Sequence, residues 1–417
     1  MDRELVTTDG VFVPSGPAHA SEYLALALMY FAQGLPSGLA FNALGALIRQ
    51  GGHPVAEVGL TGLAFLPWAL KFLWAGPIDN ACARWGHARL IGVTQTLAVL
   101  LYLGLAPFPP GTYLVATLIG VIALNSVCAT QDIVTNAYAV SRLQGRAAGP
   151  ANAIQVAAFI AGMLAGGGGL LVLHAHVGWA DTMLLMALLL VLLYLPLGFG
   201  RRWRDGTAPR PATQRVRLRD LRRHADLGWA LAIALLFKFA GTAISTLVQP
   251  WLVDRGLSLA QVGTLQMSNL IANAVGGVLI GVPLVRWLGD RRAALAGCVI
   301  VAMLLGTAWG LQVNGLHDAR IIYVAFGVQA LGEGAMYVAV WALFMNWASP
   351  QRPGTDFTAM QCCESLANGL AAGVIGGLSQ RVGYGHAFAL AWLAGGIAVA
   401  LIAWCLPRLN LLRESRA

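Results

Sequence analysis

Long apolar runs separated by short polar segments recur along the whole chain. A helix of about 20 apolar residues crosses the ~30 Å hydrocarbon core of a bilayer, because each residue adds about 1.5 Å. The pattern therefore predicts an all-α polytopic membrane protein with twelve transmembrane helices, spans 1 to 12. The spans cover residues 22–48, 57–78, 88–107, 112–139, 150–173, 179–199, 227–250, 259–286, 293–313, 320–347, 356–379 and 384–406.

The composition agrees with this prediction and excludes a soluble domain. Hydrophobic residues make up 58% of the 417 residues and charged residues 11%, whereas soluble domains carry about one quarter charged residues. The polar amino-terminal segment lacks the ordered features of a cleavable signal peptide, so we expect span 1 to be retained. The six cysteines lack the spacing of metal ligands, and we expect neither a metal nor a cofactor.

The arginines are distributed unevenly over the polar segments. If the amino terminus is cytoplasmic, 21 of the 25 arginines fall on the cytoplasmic side, nine of them within residues 201–223. This positive-inside bias predicts a multi-pass protein of the bacterial inner membrane with both termini in the cytoplasm. The net charge of +9 is then a topology signal, and we expect contact with the lipid bilayer and none with nucleic acid.

The chain contains an internal repeat. "GHPVAEVG" at 52–59 matches "GLSLAQVG" at 256–263, and "RAAGPANAIQ" at 146–155 matches "RPGTDFTAMQ" at 352–361. These matches predict two parallel six-helix bundles. The expected domains are a cytoplasmic tail at 1–21, a bundle at 22–200, an Arg-rich cytoplasmic linker at 201–226, a bundle at 227–407 and a cytoplasmic tail at 408–417.

Spans 5 and 11 each carry glycines four residues apart. The first pair is Gly162 and Gly166, and the second is Gly369 and Gly373. Because this spacing places both glycines on one helix face, a neighbouring backbone can approach closely. We therefore expect tight helix packing at both pairs.

Five ionisable side chains lie well inside the predicted spans: Lys71, Asp132, Lys238, Glu333 and Glu364. A charge at the centre of the bilayer costs on the order of 3 kcal/mol, so such residues usually face a water-filled cavity and are paired. The helix rise places Lys71 and Asp132 at the same depth, roughly 12 Å inside the cytoplasmic boundary, and predicts an ion pair between them. Lys238 and Glu333, each about halfway along its span, form the second predicted pair.

Two interpretations of these charges stay open. The pairs either hold the helices in register, or they contact substrate and couple it to protons. Glu364 has no evident lysine partner at its depth, which suits a proton carrier. Uncharged polar residues extend the candidate site, although each could equally form an interhelical hydrogen bond. They are Gln33, Gln131, Asn136, Gln155, Gln249, Asn269 and Gln361.

The loops after spans 2 and 8 share a Gly, Asp, Arg pattern. The first loop keeps Gly76, Asp79 and Arg89, and the second keeps Asp290 and Arg291. This pattern resembles the loop signature of the major facilitator superfamily, whose members consist of two parallel six-helix repeats with both ends inside. The resemblance implies that these five residues form a conformational loop motif, and that substrate binds near the membrane midplane between the halves.

Three motifs of the first half resemble one particular branch of this superfamily. "YFAQGLPSGL" at 30–39, "GLAFLPWALKFLWAGPID" at 62–79 and "ATQDIVTNAYAV" at 129–140 are similar to the branch that contains the bacterial muropeptide permease and the ferric-siderophore permeases. The second half matches only through "LGEGAMY" at 331–337 and the repeat. The resemblance implies that Lys71, Asp79, Gln131 and Asp132 occupy signature positions. Muropeptide members tend to carry two extra helices, so twelve spans favour the siderophore side.

The expected function is therefore a proton-coupled secondary importer of an iron-siderophore complex, acting as a monomer by alternating access. Muropeptide import is the alternative within the same class. The absence of a GxxxxGK[ST] loop argues against ATP as the driving force. A polytopic membrane enzyme is the different-class rival, but it would place its acids at a membrane face. Aromatic side chains on the spans of the two lysines could line the site for an aromatic siderophore; they are Tyr30, Phe31, Trp68, Phe239, Tyr337 and Trp341.

Overall fold

A computed structural model describes residues 20–53, 59–199, 216–316 and 318–411. Almost all of the expected amino-terminal tail, linker residues 201–215 and tail residues 412–417 lie outside the described residues. The described part is helical throughout, in agreement with the predicted fold class. The helices are α1 Ala20–Gly38, α2 Leu44–Gln50, α3 Leu66–Leu70, α4 Phe72–Trp85, α5 His87–Leu105, α6 Leu114–Arg142, α7 Ala148–Leu164, α8 Leu170–Phe199, α9 Leu227–Leu236, α10 Phe239–Asp254, α11 Leu259–Gly276, α12 Val282–Leu288, α13 Asp290–Leu304, α14 Gly306–Val313, α15 Ala319–Trp347 and α16 Pro353–Cys405.

The helices of the described ranges are consistent with twelve membrane crossings. Within the described ranges, nine continuous helical stretches are long and apolar enough to cross a bilayer. Two of them, Gly145–Gly198 and Pro353–Arg408, are 54 and 56 residues long. Each is long enough for two crossings, and each turns at one glycine, Gly178 and Gly383. The α3–α4 pair adds one more crossing, so the predicted count is consistent with the structure.

Glycines with positive φ mark the turns between consecutive spans. Their φ values lie between 73° and 88° at the six turn positions that correspond between the two repeats. This backbone conformation is strained for any residue with a Cβ atom. The matching pairs are Gly52 and Gly256, Gly86 and Gly289, and Gly178 and Gly383. The repeat seen in the sequence is therefore also a repeat of backbone conformation.

The glycine pair of span 5 packs as predicted. A Cβ atom at Gly162 would overlap the carbonyl oxygen of Phe31, and one at Gly166 would overlap that of Leu35. The prediction for span 11 is wrong, because no described atom lies within 4 Å of a Cβ built at Gly369 or Gly373. Spacing predicts which face carries the glycines, but a neighbouring helix must also be present for them to pack.

Contacts divide the chain into two compact units. Unit 1 consists of residues 1–147, 158–221 and 348–358, and unit 2 consists of residues 148–157, 222–347 and 359–417. Each unit thus includes one short segment from the other half of the sequence. Unit 1 has a core of buried aliphatic and aromatic side chains from spans 1 to 6, including Leu35, Tyr102 and Leu170, each fully buried. This core fixes the helices that carry the charged residues of unit 1.

Candidate functional site

Lys71 lies in unit 1 at a one-residue interruption between α3 and α4. Its side chain is 3% exposed and its ammonium group forms an ion pair with the carboxylate of Asp132 on α6. The predicted pair is therefore confirmed. The ammonium group also lies 5.0 Å from the centre of the Trp68 ring, where the ring's quadrupole attracts a cation.

Further hydrogen bonds close the environment of this pair. Asn136 donates to the Asp132 carboxylate at 2.8 Å, and Tyr30 donates its hydroxyl proton to Asn136 at 2.7 Å. The Trp68 indole N–H donates to Asn125 at 3.0 Å. We call Lys71, Asp132, Asn136, Tyr30 and Trp68 the Lys71 cluster. It neutralises one buried cation with one buried carboxylate and surrounds both with neutral hydrogen-bonding partners.

The predicted glutamines are also placed by the structure. Gln33 is fully buried and its amide donates to the Thr135 hydroxyl at 2.8 Å, while its Oε1 has no partner among the described residues. Gln131 is 2% exposed beside Asp132. Gln155 belongs to the part of α7 that lies in unit 2, and its Oε1 is likewise buried without a described partner.

Lys238 lies in unit 2 at a second helix interruption, between α9 and α10. Its ammonium group is 3.5 Å from Oε1 of Glu364 on α16, and its side chain is 37% exposed. Two expectations are thereby corrected. Lys238 pairs with Glu364 and not with Glu333, and Glu364 does have a lysine partner. Depth along the span is similar for both acids, and the rotation of each helix decides which one faces the lysine.

Glu333 still belongs to the same group of residues. The Lys238 charge acts on its carboxylate, which accepts a hydrogen bond from Gln329 at 2.9 Å. The Tyr337 ring centre lies 5.0 Å from the Lys238 ammonium group. We call Lys238, Glu364, Glu333, Gln329 and Tyr337, together with Thr242 and Asn368, the Lys238 cluster.

Three members of the Lys238 cluster were not predicted: Gln329, Thr242 and Asn368. The Asn368 amide is 3.5 Å from the Glu364 carboxylate, and its oxygen accepts from the Thr242 hydroxyl at 2.7 Å. A signal for two of them exists in the sequence. Gln329 and Asn368 are four residues from Glu333 and Glu364, so each shares a helix face with its acid.

Polar residues continue along the same helices. Ser245 and Gln249 on α10 and Ser365 on α16 are exposed, and the Ser365 hydroxyl donates to the backbone carbonyl of Gln361. Ser245 and Ser365 lie inside their predicted spans, where an exposed polar side chain is unfavourable against lipid, whereas Gln249 lies one residue from the end of span 7. This face of unit 2 is therefore suited to line a water-filled path.

The first loop motif binds the start of α16 within unit 1. The Asp79 carboxylate accepts from the backbone N–H groups of Gly354 at 3.0 Å and Thr355 at 2.6 Å, and from the Thr355 hydroxyl at 2.5 Å. These donors include the unsatisfied N–H groups of a helix amino terminus. Asp79 lies beyond the predicted end of span 2, and burial raises its pKa to about 7, an effect that the hydrogen bonds from Thr355 and Gly354 only partly offset.

The other motif residues have different surroundings. Gly76 is buried and Arg89 is exposed. In unit 2, Asp290 accepts from the Asn346 amide at 2.7 Å, and Arg291 donates to the backbone carbonyl of Leu409 at 2.6 Å. The second loop thus contacts its own unit's α15 and carboxyl-terminal segment.

Long apolar helices in two repeats, with charged clusters inside the spans, are typical of a polytopic membrane transporter. A family model described as Major Facilitator Superfamily matches residues 26–313 and 254–415. The chain belongs to this superfamily.

Relatives and solved structures agree with that assignment. The chain is 25% identical over 394 residues to the anhydromuropeptide permease of Escherichia coli strain K12, covering 90% of this chain and 78% of the relative. It is 26% identical over 385 residues to an uncharacterized protein of Haemophilus influenzae, covering 87% of this chain and 89% of the relative. Among solved structures, a bacterial homologue of the iron transporter ferroportin has a TM-score of 0.73 at 14% identity, covering 94% of this chain and 100% of that chain. The E. coli fucose:proton symporter has a TM-score of 0.68 at 12% identity, covering 94% of this chain and 99% of that chain.

Proposed function

We propose that the protein is a proton-coupled secondary importer of the bacterial inner membrane that carries a muropeptide into the cytoplasm. The observation that carries this proposal is the Lys238 cluster, in which a partly exposed cation is surrounded by amide, hydroxyl and carboxylate groups. A sugar peptide presents carboxylates and many hydrogen-bonding groups, and a site of this composition complements them. Similarity to the anhydromuropeptide permease over 90% of the chain supports the same choice.

The iron-siderophore hypothesis receives less support. An aromatic siderophore needs exposed aromatic walls, but Tyr30 and Trp341 are each only 1% exposed. Tyr30 is engaged in the Lys71 cluster, and Trp341 packs 5.8 Å from Tyr337 and 6.5 Å from Phe237 between ring centres. The other four candidates, Phe31, Trp68, Phe239 and Tyr337, are partly exposed, and Tyr337 lies beside Lys238. Siderophore import therefore serves as the competing hypothesis in the test.

Proton coupling is proposed from the two acids of the Lys238 cluster. One cation and two carboxylates leave this group with an excess negative charge when all three are ionised. A buried excess charge is costly, so the cluster favours proton uptake. The position of both clusters at mid-span, away from either membrane face, favours transport over catalysis by a membrane enzyme.

The test is uptake by the purified protein in proteoliposomes with an imposed proton gradient, inside alkaline. Labelled anhydro-muropeptide and a labelled ferric siderophore are offered in parallel. We expect accumulation of the muropeptide that collapses when a protonophore is added. Accumulation of the siderophore alone would replace the proposal with its competitor, and accumulation without dependence on the proton gradient would remove the coupling.

A further inference from the structure

The contact between Lys238 and Glu364 is loose in comparison with a charge-assisted hydrogen bond. Their nearest N and O atoms are 3.5 Å apart, whereas an ammonium–carboxylate hydrogen bond is typically about 2.7–2.9 Å long. The lysine is 37% exposed while Glu364 is only 7% exposed. A second carboxylate can therefore approach Lys238 from the exposed side while Glu364 stays behind it.

The groups around Glu364 determine what happens to its charge when Lys238 binds another carboxylate. The Asn368 amide lies 3.5 Å from its carboxylate and is itself fixed by the Thr242 hydroxyl. The other titratable or charged groups facing the pair are Glu333 on α15, the Tyr337 phenol on the same helix and the neighbouring Cys363 thiol. No additional cation among these described groups can neutralise Glu364 once Lys238 is occupied. Protonation is then the remaining way to remove its buried charge.

We propose that the solute binds through a carboxylate that replaces Glu364 as the partner of Lys238, and that the released Glu364 takes up the coupled proton. The inference rests on the proposed function and specifies the chemistry of that same site. No covalent bond of the solute changes. The solute carboxylate pairs with the lysine ammonium group, and one proton from the outer side converts the Glu364 carboxylate into a carboxylic acid.

The charge of the cluster is conserved in this exchange. Lys238, Glu364 and Glu333 together carry a charge of −1 when ionised, and the added carboxylate and the added proton cancel. The empty and the loaded site then carry equal charge in a low-dielectric environment, so neither form has an extra desolvation cost when it changes conformation. The exchange predicts one proton for each carboxylate bound at Lys238.

The test measures binding to the purified full-length protein by isothermal calorimetry between pH 6 and pH 8. The probes are the anhydro-muropeptide with free peptide carboxylates and the same compound with every carboxylate converted to a carboxamide. For the wild type we expect the dissociation constant of the free acid to rise about tenfold per pH unit wherever binding takes up one proton. The carboxamide should bind more weakly and without pH dependence.

Two variants make the test specific. Glu364→Gln mimics the protonated acid and should abolish the pH dependence for the free acid. Glu333→Gln removes the same charge from the same cluster without removing the Lys238 contact, and should retain the pH dependence. Equal binding of the two probes, or loss of the pH dependence in both variants alike, would overturn the exchange while leaving muropeptide transport intact. Absence of binding by either probe would overturn the proposed function itself, and the exchange with it.

Discussion

The Lys71 and Lys238 clusters share one local backbone feature but differ in how far their lysines are exposed. Each lysine occupies an interruption between two helical segments of a single membrane crossing. Lys71 is 3% exposed and its carboxylate partner is held by a chain of neutral donors. Lys238 is 37% exposed, lies 3.5 Å from the carboxylate of Glu364 and acts electrostatically on a second acid, Glu333. Whether an intramembrane lysine stabilises the fold or is available to a solute therefore depends on how completely its partners enclose it.

The two environments differ in what removal of the lysine should cost. Removing one partner of a buried ion pair leaves an uncompensated charge and costs about 3–5 kcal/mol. In the second pair the lysine is one-third exposed and screened by water, and on the exchange proposed above the buried Glu364 takes up a proton when its partner is lost. Removal of Lys238 is therefore expected to cost less, on the order of 1 kcal/mol. Variants in which removal of Lys238 costs as much stability as removal of Lys71 would contradict this distinction.

The largest effect is expected for Lys71→Met. Asp132 would remain buried without its cation, so we expect a loss of about 3–5 kcal/mol and little folded protein in the membrane. The double variant Lys71→Met with Asp132→Asn should restore folding, because no charge remains. The measurements are membrane level and thermal unfolding in detergent. A stable single variant would show that the pair is not what tolerates Lys71.

Lys238→Met is the matched control for that experiment. It should stay within about 1 kcal/mol of the wild type in stability, because the lysine is partly exposed and Glu364 can take up a proton in its absence. It should nevertheless lose gradient-driven uptake. If Lys238→Met unfolds as readily as Lys71→Met, the distinction between an enclosed and an open cluster is wrong.

Asp79 offers a third case, a buried carboxylate held by neutral donors without a lysine. Burial raises its pKa to about 7, compared with about 3.9 when it is exposed to water. We call the state in which Asp79 contacts the backbone of Gly354 and Thr355 the docked state. Because the pKa of Asp79 is higher in the docked state, this state binds the proton more tightly. Lowering the pH through 7 therefore favours docking, and raising the pH weakens it. Between pH 8 and pH 6 the docking equilibrium should shift about tenfold.

Hydrogen exchange of the Gly354–Thr355 segment measures that equilibrium, after correction for the intrinsic pH dependence of exchange. We expect greater protection at pH 6 than at pH 8. Asp79→Asn keeps an oxygen acceptor but cannot ionise, so its protection should not vary with pH. Greater protection of the wild type at pH 8 would show that proton binding weakens the docked state and would contradict this prediction.

A smaller difference in stability is expected between variants of two tyrosines, one in each lysine cluster. Tyr30→Phe removes the buried 2.7 Å hydrogen bond to Asn136 and should cost about 1–2 kcal/mol, because a buried acceptor loses this donor. Tyr337→Phe keeps the ring that faces Lys238 and should change stability by less than about 0.5 kcal/mol. Thermal unfolding of both variants checks the order, and equal losses would contradict it.

The smallest perturbation tests the water-filled path itself. Ser365 and Val374 are both exposed on α16 but lie on opposite faces, nine residues apart. In a background without native cysteines, Ser365→Cys should react with a charged thiol reagent and Val374→Cys should not, because lipid covers the apolar face. Similar reactivity at the two positions would show that the Ser365 face is not selectively hydrated.

The fold could be predicted because run length and repeat spacing are one-dimensional properties. The Lys71–Asp132 pair could be predicted as well, because helix rise gives the depth of each residue from its distance to the span end. The partner of Lys238 could not, because Glu333 and Glu364 both lie near the middle of their crossings. Their difference is one of helix rotation, which depends on packing against neighbours that sequence spacing does not specify.

The same limit explains the other outcomes. The glycines of span 11 have the right spacing for packing, but no described atom occupies the space beside them. Asn368 and Gln329 each contact the acid four residues away on their own helix, and which of these helix faces points into the cluster is set by packing. Depth along a helix could be predicted, whereas the rotation of a helix and the presence of a neighbour beside it required the structure.

The matched turn glycines bear on the history of the chain. Each of the three glycines in the first half has a counterpart at the equivalent turn of the second half, with a φ angle that differs by at most 8°. The charged side chains do not follow this correspondence, since one cluster is enclosed while the other is partly exposed. Turns that only glycine adopts without strain therefore support an origin of the two halves by duplication of one six-helix unit, and they give the register in which the two copies can be compared.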